Sequence, residues 1–161
     1  MSSERLLSDL LPLLKLDEYI SFDLETTGLN PDVDQITEIS ACRFVNGEFS
    51  EEFTSLINPG IPIPKNIISL TGITNEMVKD SPVISDILPD FLDFIGTTPL
   101  VGHNIDFDYT FIRKNTTSTD LNLPKSPLYD TLSLARSFIY FHSSFSLGSL
   151  CEYYGIKIEN A

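Results

Sequence analysis

The segment ISFDLETTGL, residues 20–29, places two carboxylates inside a pattern that otherwise predicts a buried strand. Apolar side chains occupy every second position from 20 to 24, which is the period of a β-strand. Asp23 and Glu25 are also two positions apart, so both side chains leave this strand on the same face. Charges are costly to bury unless they are neutralised, so the strand predicts either a chemical use for its acids or a pair at a surface edge.

The chain after this strand predicts a mixed α/β domain. Strands are expected over residues 35–45 and 48–57, joined by a tight turn at Asn46-Gly47, and the prolines of residues 58–66 predict a loop. Further along we expect a helix from Pro82 to Ile95, a short strand ending at Gly102, a helix over 104–115, a strand end at 126–130, and helices over 131–140 and 146–154. This order predicts a mixed sheet of about five strands, the first three partly antiparallel, flanked by helices.

Composition limits how the chain can meet its partners. With 161 residues it is long enough for one domain with a core, and its formal charge is -13. Such a surface repels a phosphate backbone at long range, so any contact with nucleic acid has to be local or metal-mediated.

The first residues and the cysteines favour a cytoplasmic protein. Residues 1–17 predict a helical extension docked on a domain of residues 18–161, because charges and Pro12 interrupt its apolar residues. The extension lacks the core of a signal peptide and is too short to span a bilayer, so no membrane contact is expected. Cys42 and Cys151 fit neither a metal spacing nor a disulfide framework, which favours a reducing compartment.

A third acid emerges from the helix expected over residues 104–115. At 100° per residue, Asp108 falls in the middle of the apolar arc, whereas Asp106 falls on the polar side beside Thr110 and Arg113. Asp108 is therefore expected to point inward and to need a partner.

Three inward-pointing carboxylates without a neighbouring cation should repel one another and raise one another's pKa. Divalent ions with oxygen ligands, Mg²⁺ or Mn²⁺, would relieve this repulsion. Two such ions about 3.5–4 Å apart can activate a water and stabilise the leaving oxygen of a phosphodiester. The sequence thus predicts that Asp23, Glu25 and Asp108 are metal ligands.

The ordered motifs resemble one known family. FDLETTGL and GHNIDFD are similar to the first and second motifs of the DEDD family of 3′–5′ exonucleases, in particular its epsilon-type proofreading members. NPGIPIPKNIISLTGIT resembles the family's linking segment, and LYDTLSLAR and FSLGSLCEYYGI resemble its later helices. The resemblance runs from about Tyr19 to the last residue.

The resemblance implies an RNase H-like fold and two catalytic Mg²⁺ or Mn²⁺ ions bound by Asp23, Glu25 and Asp108. It also implies a substrate cleft for a single-stranded 3′ end. The residues implied to line this cleft are Thr26, Thr27, Gly28, Leu29, Leu70, Thr71, His103, Asn104 and Phe107. Leu29 would wedge against a base, although core packing explains Leu29 and Phe107 equally well.

One family motif does not occur. The DEDD exonucleases of this type carry a catalytic His and a fourth acid in a later His-x-Ala-x-x-Asp motif, and this sequence stops at GIKIENA, where that motif should begin. We therefore expect a domain truncated before its last helix, with little or no activity as given. His103 belongs to the second motif, and His142 is expected in a surface loop.

Three functions follow from these patterns. The first is a metal-dependent 3′–5′ exonuclease domain acting on DNA ends in replication or repair. The second is the same chemistry on short RNA. The third is a non-catalytic module that binds a polymerase or helicase partner, which the missing motif favours and the retained acids oppose.

Overall fold

The computed structural model describes residues 16–157, which form a five-stranded mixed sheet. The strands are β1 (Glu18–Thr26), β2 (Ile36–Val45), β3 (Glu48–Leu56), β4 (Leu100–Gly102) and β5 (Leu128–Asp130), in the spatial order β3-β2-β1-β4-β5. β1, β2 and β3 pair antiparallel, whereas β1, β4 and β5 pair parallel. The predicted α/β class, with about five strands and an antiparallel first half, is confirmed.

Six helices accompany the sheet in the described part of the chain. They are α1 (Lys65–Thr71), α2 (Asn75–Val78), α3 (Ile84–Ile95), α4 (Ile105–Ser118), α5 (Thr131–Phe138) and α6 (Leu147–Tyr154). The sequence did not predict α1 and α2, because α1 buries no residue and α2 has only four residues, so neither carries a readable apolar stripe. The helix expected to reach residue 140 ends at Phe138, since Ile139 adopts an extended backbone.

The tight turn between β2 and β3 lies where it was predicted. Asn46 and Gly47 both adopt positive φ, 52° and 83°, and connect the paired residues Val45 and Glu48. Two central residues with positive φ match the right-handed twist of the flanking strands, which explains the Asn-Gly pair.

The core lies between one face of the sheet and α3 and α4. Phe91 of α3 is fully buried, and its ring lies 6.0 Å from that of Phe22 and 5.6 Å from that of Phe53. Phe111 and Ile112 of α4 extend the same cluster. The apolar alternation of β1 thus points at the helices, so its polar positions lie on the opposite face of the sheet.

The start of α4 is held close to β1 by a glycine. A Cβ added at Gly102 would lie 3.3 Å from the carbonyl oxygen of Phe22 and 3.0 Å from Cγ1 of Ile105. The next residue but one, Asn104, adopts a left-handed conformation with φ 68° and leads into α4. Because the backbones approach closely here, the first turn of α4 lies beside the second half of β1.

The structure says little about two predictions, the N-terminal helical extension and the lack of membrane contact. All of the predicted helical extension except its last two residues lies outside residues 16–157, so that prediction stays open. Within the described range, no helix has both the length and the apolar character needed to cross a bilayer.

We predict that Phe91→Ala lowers the free energy of unfolding by about 3–5 kcal/mol, because it removes a fully buried ring from the core. Phe49→Ala is the control, since that ring is 58% exposed and should cost far less. Urea unfolding of both variants measures the difference, and equal losses would mean that Phe91 does not lie in the core described.

Candidate metal and active site

Four acids meet around the open face of β1. In the β1–β2 ladder Glu25 lies opposite Glu38, and Asp23 lies opposite Ser40. Directly paired residues point to the same face of a sheet, so Glu38 joins the two acids of β1. Asp23 is exposed and Glu25 is half-buried. The expectation that this pair points inward is therefore wrong for Asp23, because α3 and α4 cover the other face of the strand.

Asp108 is the buried member of the group. Its exposed fraction is 3%, and its Oδ1 accepts a hydrogen bond from the backbone N–H of Leu24 at 3.1 Å. Asp106, two residues earlier on α4, is exposed. The helical phasing that selected Asp108 as the inward acid is thus confirmed, and the bond to Leu24 lies midway between Asp23 and Glu25 on β1.

The environment of Asp108 disfavours its charge. Burial raises the pKa of this carboxyl to about 7, and the nearby charge of Asp23 adds to the effect. The hydrogen bond from Leu24 acts in the opposite direction, and Glu25 contributes a smaller repulsion. At neutral pH this acid is therefore poised between its neutral and charged forms.

The other acids are shifted in the same direction. Loss of hydration raises the pKa of Asp23, although the charge of His103 partly offsets it. Burial and then the charges of Asp23 and Glu38 raise the pKa of Glu25. Burial and the charge of Asp23 raise that of Glu38. The four carboxylates thus repel one another and would all gain from a shared cation.

Glu38 was missed in the sequence. A Glu inside the apolar strand ITEISAC is the same signal that singled out Asp23. Its position opposite Glu25 depends on the register between β1 and β2, which contains a shift between Glu25 and Thr26. Residues 27–35 connect these strands, so no tight turn fixes that register in advance.

The donor set suits a divalent cation without enclosing one. In residues 16–157 no three His, Cys, Asp or Glu side chains are grouped closely enough to hold a metal by themselves. None of Asp23, Glu25 and Asp108 forms a salt bridge with a described Lys or Arg. Mg²⁺ commonly keeps several waters and takes only one or two carboxylates, so an open arrangement of hard oxygen donors still fits it.

The loop after β1 uses its polar groups internally. Thr26 Oγ1 donates to the carbonyl of Gly28 at 2.6 Å, and Thr27 Oγ1 accepts from the N–H of Gln35 at 3.0 Å. A Cβ at Gly28 would lie 2.5 Å from the carboxylate of Asp34, so this glycine makes room for the chain's own side chain. Thr26 and Thr27 are buried, and both hydroxyls are bonded within the loop, so neither is free for the predicted contact with a nucleotide.

Among the predicted substrate residues, Leu29 and Phe107 differ in their surroundings. Leu29 is 81% exposed, so core packing does not explain it. Phe107 is partly buried, and its ring lies 5.1 Å from that of Phe111. Leu70, at the end of α1, is also 81% exposed, while the hydroxyl of the adjacent Thr71 accepts from the N–H of Ile73.

Both ring nitrogens of His103 have partners. Nε2 donates to the carbonyl oxygen of Phe145 at 2.9 Å, because a carbonyl can only accept. Nδ1 lies 3.1 Å from Oγ1 of Thr131. Asn104 is exposed, and its N–H donates to Asp130 at 2.7 Å. The imidazole therefore joins the end of β4 to α5 and to the segment before α6.

His142 lies in a loop, as predicted, but its side chain differs from that of a fully exposed surface histidine. Its Nε2 lies 3.0 Å from Oγ of Ser149, and its ring lies 4.9 Å from that of Tyr153. Packing against α6 leaves it half-buried. The difference arises because α6 folds back onto the segment that precedes it.

The sequence model of the exonuclease family designated RNase_T matches residues 20–161. This range contains both carboxylate motifs and all five strands, except for the first two residues of β1.

The chain belongs to the exonuclease family.

Curated relatives are considerably longer than this exonuclease domain. It is 40% identical over 144 residues to a PolC-type DNA polymerase III of Clostridium perfringens (strain 13 / Type A), covering 89% of this chain and 10% of that protein. The PolC-type polymerase of Bacillus subtilis (strain 168) is 36% identical over 147 residues, with 91% and 10% covered. The chain thus spans about a tenth of the length of these relatives.

Solved structures share the fold of this exonuclease domain. A product-bound exonuclease I superimposes with a TM-score of 0.80 at 18% identity, covering 90% of this chain and 40% of that one. Exonuclease X in complex with 5′ overhanging duplex DNA gives a TM-score of 0.68 at 24% identity, with 89% and 76% covered. The RNase H-like fold and the resemblance to the DEDD exonucleases are confirmed.

We predict that Asp108→Asn stabilises the metal-free domain at and above neutral pH. Below pH 3.8, the ordinary pKa of Asp, both folded and unfolded parents carry this group protonated. Between pH 3.8 and about 7 this carboxyl is ionised in the unfolded chain but still protonated in the folded one. The parent therefore loses stability as the pH rises, whereas the Asp108→Asn variant does not. Asn also retains an oxygen that can accept from Leu24.

Chemical unfolding in a metal chelator at several pH values tests this prediction. The stability difference in favour of Asp108→Asn should grow from near zero at acid pH and level off above about 7. Asp106→Asn is the control on the same helix, and a pH-independent difference for Asp108→Asn would contradict the assigned repulsion.

Proposed function

We propose that this exonuclease domain hydrolyses terminal phosphodiester bonds from the 3′ end of DNA with the help of divalent cations. The observation that carries the proposal is the hydrogen bond from Leu24 to Asp108, which brings a buried carboxylate into the field of Asp23 and Glu25. The resulting mutual repulsion costs stability unless a cation joins the acids. Family membership indicates which chemistry such a cation would serve.

Asp23, Glu25 and Asp108 are the residues that we assign to hold Mg²⁺ or Mn²⁺. A pair of such ions, when bound, polarises the phosphate and stabilises the charge that develops on the leaving oxygen. Glu38 borders the same face and raises the negative charge that attracts the ions. Asp23 is the exposed member and faces substrate most directly, whereas Asp108 fixes the inner wall of the site.

The substrate end is assigned to the loop after β1 and the first turn of α4. Leu29 presents an exposed apolar side chain that can wedge against the terminal base, and Phe107 and Asn104 border the same opening. Thr26, Thr27 and Gly28 contribute backbone groups, because both threonine hydroxyls are bonded within the loop, that of Thr26 to the carbonyl of Gly28. Leu70, Thr71 and His103 are retained as more remote contacts to the 3′ end.

Neither described histidine is assigned as the general base. His103 holds Thr131 and the carbonyl of Phe145, and His142 packs on α6. A base must reach the proton it abstracts, and both imidazoles are directed at the protein. The proposal for residues 16–157 therefore covers metal binding and positioning of substrate, and assigns no base among them.

DNA is favoured over RNA by the proteins that this chain resembles. Its curated relatives are named as DNA polymerases, and a structural neighbour was determined with a dT13 oligonucleotide. Short RNA is the alternative substrate, because the sequence motifs are also compatible with it. The relatives named as DNA polymerases and a structural neighbour determined with SSB favour a polymerase or single-strand-binding partner. A helicase partner follows from the sequence analysis alone, and a cytoplasmic location follows the cysteine argument.

The second candidate function is a non-catalytic module that binds a protein partner. The internal bonding of both histidines favours it, because no base is then left in residues 16–157. Metal binding separates the two candidates, since a module without chemistry has no use for coupled carboxylates.

We predict that saturating Mn²⁺ or Mg²⁺ raises the melting temperature and that Asp23→Asn removes most of this rise. A ligand at 100 times its Kd stabilises the folded state by about 2.7 kcal/mol. Asp106→Asn is the matched control, because it removes a carboxylate from the solvent side of α4. Unchanged melting with saturating metal would favour the non-catalytic module.

We predict that, where hydrolysis is measurable, single-stranded DNA is shortened from its 3′ end faster than RNA of the same sequence. The measurement uses 5′-labelled oligonucleotides with Mn²⁺ and resolves products one nucleotide apart. Asp108→Asn should abolish the activity without unfolding the domain. Faster shortening of the RNA would contradict the preference for DNA and would favour short RNA as the substrate.

A further inference from the structure

A basic pocket lies on the flank of α4, separate from the carboxylates. It has a volume of about 460 Å³ and is formed between the loop after β1 and the part of α4 that runs from its second turn to its last. We call it the α4 pocket, and its lining residues are Pro31, Asp32, Thr110, Arg113, Lys114, Thr117 and Ser118.

The charge of the α4 pocket is opposite to that of the protein. Arg113 and Lys114 are the only two adjacent cations among the ten of this chain, whose formal charge is -13. Both line the pocket, and Asp32 is the single carboxylate that does. The local balance is therefore positive in a molecule that repels anions elsewhere.

Arg113 is available to an incoming anion. Lys114 Nζ forms a salt bridge with Asp32 at 2.5 Å, whereas Arg113 forms none with any carboxylate in residues 16–157. Arg113 is exposed on the helix, so its guanidinium presents its N–H donors to solvent. An arginine fork without a partner is suited to the oxygens of a phosphate.

The hydroxyl groups of the pocket do not compete for this role. Thr110 Oγ1 donates to the carbonyl of Asp106 at 2.6 Å, and Thr117 Oγ1 donates to that of Arg113 at 2.9 Å. Ser118 Oγ donates to the carbonyl of Lys114 at 3.0 Å. Their protons are thus directed at the helix backbone, and the donors left for a ligand are the two cationic groups.

The pocket lies on the same helix as Asp108, but on its outer side, about 120–140° around the helix axis from that buried acid. Pro31 and Asp32 belong to the same loop as Leu29, and Asp108 lies on the first turn of α4. Arg113 and Lys114 follow Asp108 by five and six residues, which is about 7–9 Å along a helix axis. A stacked strand rises by about 3.4 Å per nucleotide, so the axial distance alone corresponds to roughly two or three nucleotides, and the offset around the helix adds to it.

We propose that the α4 pocket binds the phosphodiester backbone of the substrate strand, at least two or three nucleotides upstream of the 3′ end, through Arg113 and Lys114. This inference rests on the proposed function for the identity of the strand. The pocket then supplies the local positive contact that a strongly acidic protein needs to retain a polyanion.

The inference can be tested without hydrolysis by measuring the fluorescence anisotropy of a 5′-fluorescein-labelled oligothymidylate. The measurement is made in the presence of Ca²⁺ at a series of salt concentrations. Loss of one phosphate contact should reduce the slope of log affinity against log salt by about 0.7 and weaken binding about five-fold near ~0.1 M salt. We expect this of Arg113→Ala. Arg136→Ala, which removes an exposed arginine from α5, should leave the slope unchanged.

A gain-of-affinity variant and a length control complete the design. Asp32→Asn removes the opposing charge from the pocket and releases Lys114, so it should strengthen binding and steepen the slope. Asp32 is 82% exposed, so the fold should tolerate this change. A thymidine dinucleotide is too short to reach from the acids to Arg113, so Arg113→Ala should not alter its affinity.

Several results would overturn the inference. One is an unchanged salt slope in Arg113→Ala, and another is an equal loss in Arg136→Ala. A third is an oligoglutamate peptide that binds in an Arg113-dependent way while oligothymidylate does not, which would assign the pocket to an acidic protein partner. Failure of the proposed function shows instead as a missing metal effect at Asp23, which this binding experiment does not use.

Discussion

The hydrogen bond from the N–H of Leu24 to Asp108 connects the fold of this protein to its chemistry. It joins the middle of β1 to the first turn of α4 across 84 residues of chain. Gly102 favours this bond, because a Cβ there would lie only 3.0 Å from Ile105 and 3.3 Å from the backbone of β1, so these neighbours would have to shift. A carboxylate that is otherwise expensive to bury is thereby held between the two acids of the strand.

This arrangement stores electrostatic strain in a defined place. The core beneath β1 is apolar and well packed, with Phe91 contacting the rings of Phe22 and Phe53. Burial, and then the nearby charge of Asp23, raises the pKa of Asp108 to about 7, so the acids on and beside the strand oppose one another's ionisation. Packing stabilises the domain while the carboxylates oppose it, so a divalent cation can stabilise the folded form without changing its core.

Charged and titratable side chains fall into two groups, those bonded within the protein and those that can face a ligand. Arg43 is engaged by Glu18 and Glu51, and its guanidinium lies over the ring of Phe94. Arg113 has no such partners among the described residues and borders a pocket. His103 and His142 belong to the structural group, because both ring nitrogens of His103 and Nε2 of His142 are bonded within the protein. Residue type alone therefore does not separate the groups that hold the fold from those that face a ligand.

The sequence by itself determined the features that depend on neighbouring residues. Alternation along β1 placed Asp23 and Glu25 on one face, helical phasing turned Asp108 inward, and Asn46-Gly47 fixed a tight turn. These patterns arise from the periods of two and 3.6 residues, which are local properties of the backbone. The short helices α1 and α2 escaped detection because they lack an apolar stripe.

Only the tertiary structure decided what depends on distant segments. The register of β1 and β2 brought Glu38 opposite Glu25, although a connection of residues 27–35 left that register open. His103 found its partners 28 and 42 residues away, and Lys114 found Asp32 across 82 residues. Contacts of this kind follow from packing and strand pairing, which no short pattern encodes. For that reason the sequence named the acids of the site, and the fold decided which other groups surround them.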